Sequence, residues 1–228
     1  FYWSEVDRLP RRPNPAARRG TDVHRQIELH HRGQIPLEDL SPDLYDMPQG
    51  VGEIPPAGSD PMKAFSQSRF AATRPVLVEA PFEMMVGGLR LRGRVDAIYE
   101  PVPGQWEIVD FKSGRPNLDP AVGVQLQAYA IAADSGALGP GSPEQMTVTF
   151  AYLGGGLEEV SEKVDHKWLA NARERLDRIA SAIGAGQWDP TPSDACGSCD
   201  FLQFCGPGQA FVGSFTQAEM RQKDGRDK

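Results

Sequence analysis

The run from Gly87 to Lys112 constrains this chain most. Gly87-Gly88 is a two-residue hairpin signal, and beyond it Leu89, Leu91, Gly93, Val95 and Ala97 alternate with Arg90, Arg92, Arg94 and Asp96. Such alternation is the period of a half-buried strand. Pro101 to Gly104 turns the chain, and Gln105 to Phe111 makes the next strand, whose Ile108-Val109 pair suits a central position. The meander carries Asp96 on one strand and Asp110 and Lys112 on its neighbour. Charges in a sheet are costly unless they share a metal or a substrate. Residues 110 and 112 share a strand face, two rises or roughly 6–7 Å apart, with the Phe111 carbonyl between them. Two acids and a lysine suit metal-assisted cleavage of a phosphodiester: the acids hold a divalent cation, which activates water, and the lysine steadies the developing charge. Taken alone, Asp110 and Lys112 equally describe a surface salt bridge.

The rest of the chain reads as helix, three strands, helix, two strands, helix. Residues 1 to 20, rich in Pro and Arg, read as an extended arm, and Thr21 as the cap of a helix through His24, Ile27, Glu28 and His31. Residues 41 to 60 read as a loop insertion. One short helix is expected from Pro61 to Thr73, capped by Ser59 or Asp60. Val76 to Val86 is a strand or two with a proline kink at Pro81. Pro120 to Ala133 is a helix, Met146 to Tyr152 a strand, Gly154 to Gly156 a turn and Leu157 to Val164 a return strand. Asp165 caps an amphipathic helix through Trp168, Leu169, Ala172, Leu176, Ile179 and Ile183. Beyond Thr216 a charged, frayed tail is expected.

The chain has 228 residues, enough for one domain with room for a small appended lobe. With 24 glycines and 20 prolines, much of it is loop. No apolar run approaches the roughly 18–20 residues of a membrane span, and no signal peptide is visible. Phe1 rather than Met begins the chain, so the sequence reads as a fragment with an upstream part missing. The net charge of -7 argues against a general nucleic-acid coat. Charge is uneven, however: Arg8, Arg11, Arg12, Arg18, Arg19, Arg25 and Arg32 crowd the start, and Arg90, Arg92 and Arg94 share one strand face. Local patches of this kind bind DNA, or are simply solvated surface.

On the expected second helix Gln125 and Tyr129 are four apart and share a face, able to hydrogen-bond a phosphate or a water. His24, in Gly20-Thr21-Asp22-Val23-His24, is a helix-borne imidazole able to ligate a metal. Together, Gly20 to His24, Gly93-Arg94-Val95-Asp96, Val109-Asp110-Phe111-Lys112-Ser113-Gly114 and Gln125 to Tyr129 resemble, in order, the motifs of the PD-(D/E)xK nuclease superfamily and within it the RecB-type nuclease domain. Val95 stands before Asp96 where proline also occurs in the family. The resemblance implies an α+β, restriction-endonuclease-like fold: a mixed central sheet flanked by helices, with a C-terminal cysteine segment. It implies His24, Asp96, Asp110 and the Phe111 carbonyl as metal ligands for Mg2+ or Mn2+. Lys112 becomes the catalytic lysine, and Gln125 and Tyr129 line the site. The domains implied are a nuclease core over 21–190, the cysteine segment over 191–212 and the tail over 213–228.

Cys196, Cys199 and Cys205, the three cysteines, fall in one segment with two and five residues between them. Clustered and odd in number, they suggest a metal or cluster site in a reducing compartment rather than disulfides. Some RecB-type nucleases have three such cysteines and a fourth far upstream around a [4Fe–4S] cluster; zinc and free thiols remain alternatives. The Arg-rich start resembles the approach to the nuclease domain of bacterial, notably actinobacterial, UvrD-like helicase–nucleases. The resemblance thus implies a cytoplasmic deoxyribonuclease, an exonuclease, processing DNA ends in double-strand-break repair. It would act on single-stranded DNA from a helicase motor in cis or in trans. Two alternatives are a stand-alone nuclease of the CRISPR-adaptation type and a non-catalytic DNA-binding scaffold on the same fold.

Overall fold

The computed structural model describes residues 7–9, 15–34, 60–116, 120–139 and 141–214. Two compact units divide the chain, residues 15–181 and residues 1–14 with 182–228. The larger unit is built on a sheet of five strands in sequence order: β1 (Leu77–Val86), β2 (Leu89–Val102), β3 (Gln105–Lys112), β4 (Gln145–Tyr152) and β5 (Glu158–Val164). All neighbours are antiparallel except β3 and β4, which run parallel. A parallel pair needs a long crossover, and α4 (Pro120–Asp134) lies in that connection. The mixed sheet with flanking helices is the α+β architecture expected from the sequence.

Two apolar layers sandwich the sheet. On one face Val95, Ile98, Ile108, Val148 and Phe150 pack with Leu126 to Ala133 of α4 and with Leu169, Ala172, Leu176 and Ala180 of α5 (His166–Gly184). On the other, Ala97, Tyr99, Val109, Phe111 and Ala151 pack with Val23 and Ile27 of α1 (Pro15–His31), Met62 and Phe65 of α2 (Pro61–Ser66) and Phe70 of α3 (Arg69–Ala72). Cover on both faces explains why Val95 to Tyr99 are buried without interruption, although the first half of β2 alternates.

Local chemistry sets the element ends. Gly87 and Gly88 have φ of 53° and 79°, the left-handed pair a tight two-residue hairpin requires. Gly93 faces Phe82 across the ladder, and a Cβ there would lie 2.4 Å from the ring. Asp165 caps α5 by accepting the Trp168 N–H at 2.7 Å.

Three expectations change. Helix α1 starts at Pro15, so Thr21 lies inside it, and residues 15–20 are helical rather than part of an extended arm. It ends in a Schellman motif at Gly33, with Gln34 N–H on Leu29 C=O and Gly33 N–H on His30 C=O. The single helix expected from Pro61 to Thr73 is two, because Ser68 donates to Phe65 C=O at 2.6 Å and accepts the Ala71 N–H, ending α2 and capping α3. Asp60 caps α2. The strand expected from Val76 is one continuous β1, and Pro81 is tolerated in it because β1 is an edge strand. The loop at 41–59 and the tail beyond Thr216 lie outside the described residues.

In the smaller unit, 3-10 turns at Asp194–Ser198 and Leu202–Phe204 carry the cysteines, and residues 206–214 are helical. Cys205 is buried, Cys196 and Cys199 half-buried, and all three are free thiols. Backbone N–H groups of Ser193 and Gly208 meet the sulfurs of Cys196 and Cys205 at 3.4 and 3.3 Å. Among the described residues no helix is long and apolar enough to cross a membrane.

Candidate active site

The site forms where two strands part. The β2–β3 ladder pairs Ala97 with Val109 and goes no further toward Asp96 and Asp110. In the gap the Asp96 carboxylate replaces a backbone acceptor, taking the Phe111 N–H at 2.9 Å. Because the N–H and C=O of one strand residue point to the same edge, the Phe111 carbonyl faces the same opening. Helix α1 brings His24, whose Nδ1 lies 3.3 Å from Asp96 Oδ2. Burial lowers the His24 pKa, but the Asp96 hydrogen bond and the charges of Asp96, Asp110 and Glu79 raise it further, for a net rise.

Asp110 is fully buried. Lys112 Nζ lies 2.8 Å from its Oδ2, yet neither carboxylate oxygen accepts an aligned hydrogen bond. The pair is therefore no surface salt bridge; it is an acid enclosed with one close cation and vacant lone pairs. Burial and the Asp96 charge raise the Asp110 pKa, and Lys112 and His24 do not fully offset them. On the same face, Lys112 donates to Gln125 Oε1 at 2.7 Å, and Gln125 donates through Nε2 to the Tyr129 hydroxyl at 2.6 Å. The one-turn spacing of Gln125 and Tyr129 on α4 makes this relay. Burial and the charges of Asp96 and Asp110 push the Tyr129 pKa up, so its phenol stays protonated and is a donor.

Glu79 is the site residue that sequence reasoning missed. His24, Glu79 and Asp96 offer ligand atoms that all lie within 4.8 Å of one another. Val78 pairs with Ala97 and Ala80 with Val95, so Glu79 stands opposite Asp96. It leaves the ladder with φ of 48°, a strained value for a side chain of this size. Burial and the Asp96 charge raise its pKa, against the pull of Arg94, which is 3.3 Å away. A lone acid in the run Val76-Leu77-Val78-Glu79-Ala80 was the available signal. Arg90 and Arg92 both pair with Glu83, so the arginine row of β2 is exposed and already partnered.

Donor chemistry supports a divalent cation. His24, Glu79 and Asp96 converge as one imidazole and two carboxylates, and Asp110 and the Phe111 carbonyl stand beside that group rather than within it; together they offer the hard, mostly oxygen donors that Mg2+ and Mn2+ take. The Asp110 Oδ1, buried with no partner while Oδ2 faces Lys112, is the observation that asks for one.

Comparisons with known proteins give one family and three partial likenesses. The chain is 29% identical over 136 residues to the Gene 69 protein of Mycobacterium phage L5, covering 56% of this chain and 43% of that one. It thus spans less than half the length of that relative. Among solved structures, SSO0001 superposes with a TM-score of 0.38 at 23% identity, over 57% of this chain and 58% of that one. A candidate exonuclease from Eubacterium rectale superposes with a TM-score of 0.48 at 13% identity, over 85% of this chain and 76% of that one. The family model of the PD-(D/E)XK nuclease superfamily matches residues 1–206, so nearly the whole chain, site included, belongs to that superfamily.

Proposed function

We propose that the chain is a RecB-type deoxyribonuclease domain that hydrolyses phosphodiesters of single-stranded DNA from an end. On this reading it serves a helicase motor, in cis or in trans, during double-strand-break processing in the cytoplasm. The nuclease core would run over 21–190 and the cysteine segment over 191–212. The observation that carries the nuclease reading is Asp110, enclosed with unsatisfied oxygens beside Lys112 and across the strand gap from Asp96.

His24, Glu79, Asp96, Asp110 and the Phe111 carbonyl would hold Mg2+ or Mn2+, which supplies positive charge to the phosphate and acidifies the attacking water. Asp96, fixed by the Phe111 N–H, keeps His24 and Glu79 converged. Lys112 spends one N–H on Gln125 and sets another against Asp110, which leaves the third for the phosphate. Tyr129 accepts from Gln125 and keeps its own proton for a phosphate oxygen or the water. Cys196, Cys199 and Cys205 would supply three thiolates to a [4Fe–4S] cluster, one fewer than such a cluster takes, so no step of the reaction runs through it.

The test is cleavage of single-stranded DNA with Mg2+ or Mn2+. Asp110→Ala and Lys112→Ala are each expected to slow it by about 10²–10³-fold, the scale of losing a preorganised electrostatic partner. Arg178→Ala, an exposed pair with Glu174, should leave it unchanged. An Asp110→Ala chain as fast as the unmodified one overturns the assignment.

A further inference from the structure

Just past Lys112 the chain builds a second feature that the reaction above does not use. Lys112 and Tyr152 are register partners on β3 and β4. Two further bonds continue that ladder into the loops, Leu153 N–H to Lys112 C=O at 2.8 Å and Gly154 N–H to Gly114 C=O at 3.0 Å. The segment after Lys112 is thereby fastened to the β4–β5 turn. Between them lies an open cleft of about 380 Å³, walled by Arg115, Pro116, Tyr152, Gly155, Leu157 and Glu158.

Three properties of the cleft select a ligand. First, Arg115 is exposed, makes no ion pair among the described residues, and lies along the glycine turn: a Cβ on Gly155 would come 3.3 Å from its Nε. A guanidinium that lines a cleft without an ion pair is able to stack on a π face or meet a phosphate. Second, Tyr152 is only 5% exposed, but its hydroxyl oxygen is not among the buried unpartnered atoms and makes no hydrogen bond among the described residues, so it opens to the cleft that the residue lines. A buried ring with its hydroxyl at the wet end presents a donor and acceptor to whatever enters the cleft. Third, Pro116 and Leu157 give apolar walls and Glu158 an acceptor, and the volume suits one nucleoside rather than a longer segment.

We propose that this cleft is a nucleotide subsite that takes the sugar and base adjoining the phosphate under attack. Arg115 covers the base, and Tyr152 bonds its polar edge or the sugar. The inference rests on the nuclease reading for its geometry: a strand whose phosphate reaches Lys112 must send a neighbouring nucleotide over Ser113–Pro116 or away from it.

The experiment is a scan of fluorescein-labelled single-stranded oligonucleotides, each with one abasic position, bound to the 228-residue chain in Ca2+ and read by anisotropy. Removing one particular base is expected to weaken binding about five- to tenfold, the worth of a single stacked base or cation–π contact. Arg115→Ala should weaken the intact oligonucleotide by a similar factor and lose sensitivity at that position alone. Tyr152→Phe should give a smaller loss at the same position. Thermal melting checks that both variants fold. Variants that fold yet keep the full abasic sensitivity at every position overturn the proposal. Cleavage with Mg2+ is read separately: a chain that shows the predicted scan but cuts no DNA loses the nuclease reading and keeps the subsite.

Discussion

Asp110 sits where a carboxylate is least at home, fully buried with the charge of Asp96 nearby, and its raised pKa measures that cost. A carboxyl whose folded pKa lies above its ordinary range holds a proton that the unfolded chain has already released. Stability therefore falls as pH rises through that interval. His24 acts in the same direction: its contact with Asp96 stabilises the fold fully below the ordinary imidazole pKa, and the gain is lost as pH rises through the raised value. Without a divalent ion the Asp110 and His24 contributions should each lower the melting temperature between about pH 5 and pH 8, while buried His31, its pKa pushed down to about 4, works the other way up to the ordinary imidazole range. Added Mn2+ should raise the melting temperature most at the high end, because it binds the deprotonated ligands. Asp110→Asn should flatten the pH dependence and remove most of the Mn2+ gain. An Asp110→Asn variant whose ion-free melting temperature falls between about pH 5 and pH 8 as much as that of the unmodified protein would refute this account. Most of the residues behind it were legible, because His24, Asp96, Asp110, Lys112, Gln125 and Tyr129 sit at motif spacings. Glu79 was not, because its place depends on a strained backbone turn that leaves no pattern in the chain.

The β1–β2 hairpin, as an element, was legible in the sequence almost to the residue, since alternation and Gly87-Gly88 are short-range signals. The split between α2 and α3 was not. It depends on one Ser68 hydroxyl bonding in both directions, and Ser68 looks like any helix-compatible residue until its partners are placed. The start of α1 was hidden for the opposite reason, because Pro and Arg before Thr21 read as extended although Pro suits a first helical position. Gly93 connects this element to the site. With only a hydrogen where a Cβ would stand, it leaves the space that the Phe82 ring fills, and Asp96 lies three residues further along the same strand. Gly93→Ala should cost about 1–3 kcal/mol of stability in urea unfolding, the range for overpacking a fitted contact. It should also weaken Mn2+ binding by shifting β2 against β1 below Asp96. Adding Phe82→Leu should recover part of both losses, and a double variant no better than additive would show that the ring is not the obstacle.

At the scale of the whole chain, every residue of the candidate site lies within 15–181, and all three cysteines lie outside it. The family match nonetheless runs through both units, to residue 206. Net charge said little about this division, and spacing said much: three thiols within ten positions marked off the second unit before any element was placed. The division has a measurable consequence. Serine in place of Cys196, Cys199 and Cys205 together should leave Mn2+ affinity within about threefold, since no ligand of that site comes from the smaller unit, and threefold is under 1 kcal/mol. The cost should fall on stability, and unevenly. Cys205 is the buried one and accepts the Gly208 N–H, so Cys205→Ser places a hydroxyl in a sulfur-shaped position and should cost about 1–2 kcal/mol. Cys199→Ser, at a half-buried position, should cost less. Calorimetric Mn2+ titration and urea unfolding of the single and triple variants separate the two effects. A triple variant that folds but no longer binds Mn2+ would mean that the cysteine unit holds the site together, and the independence argued from residue positions would fail.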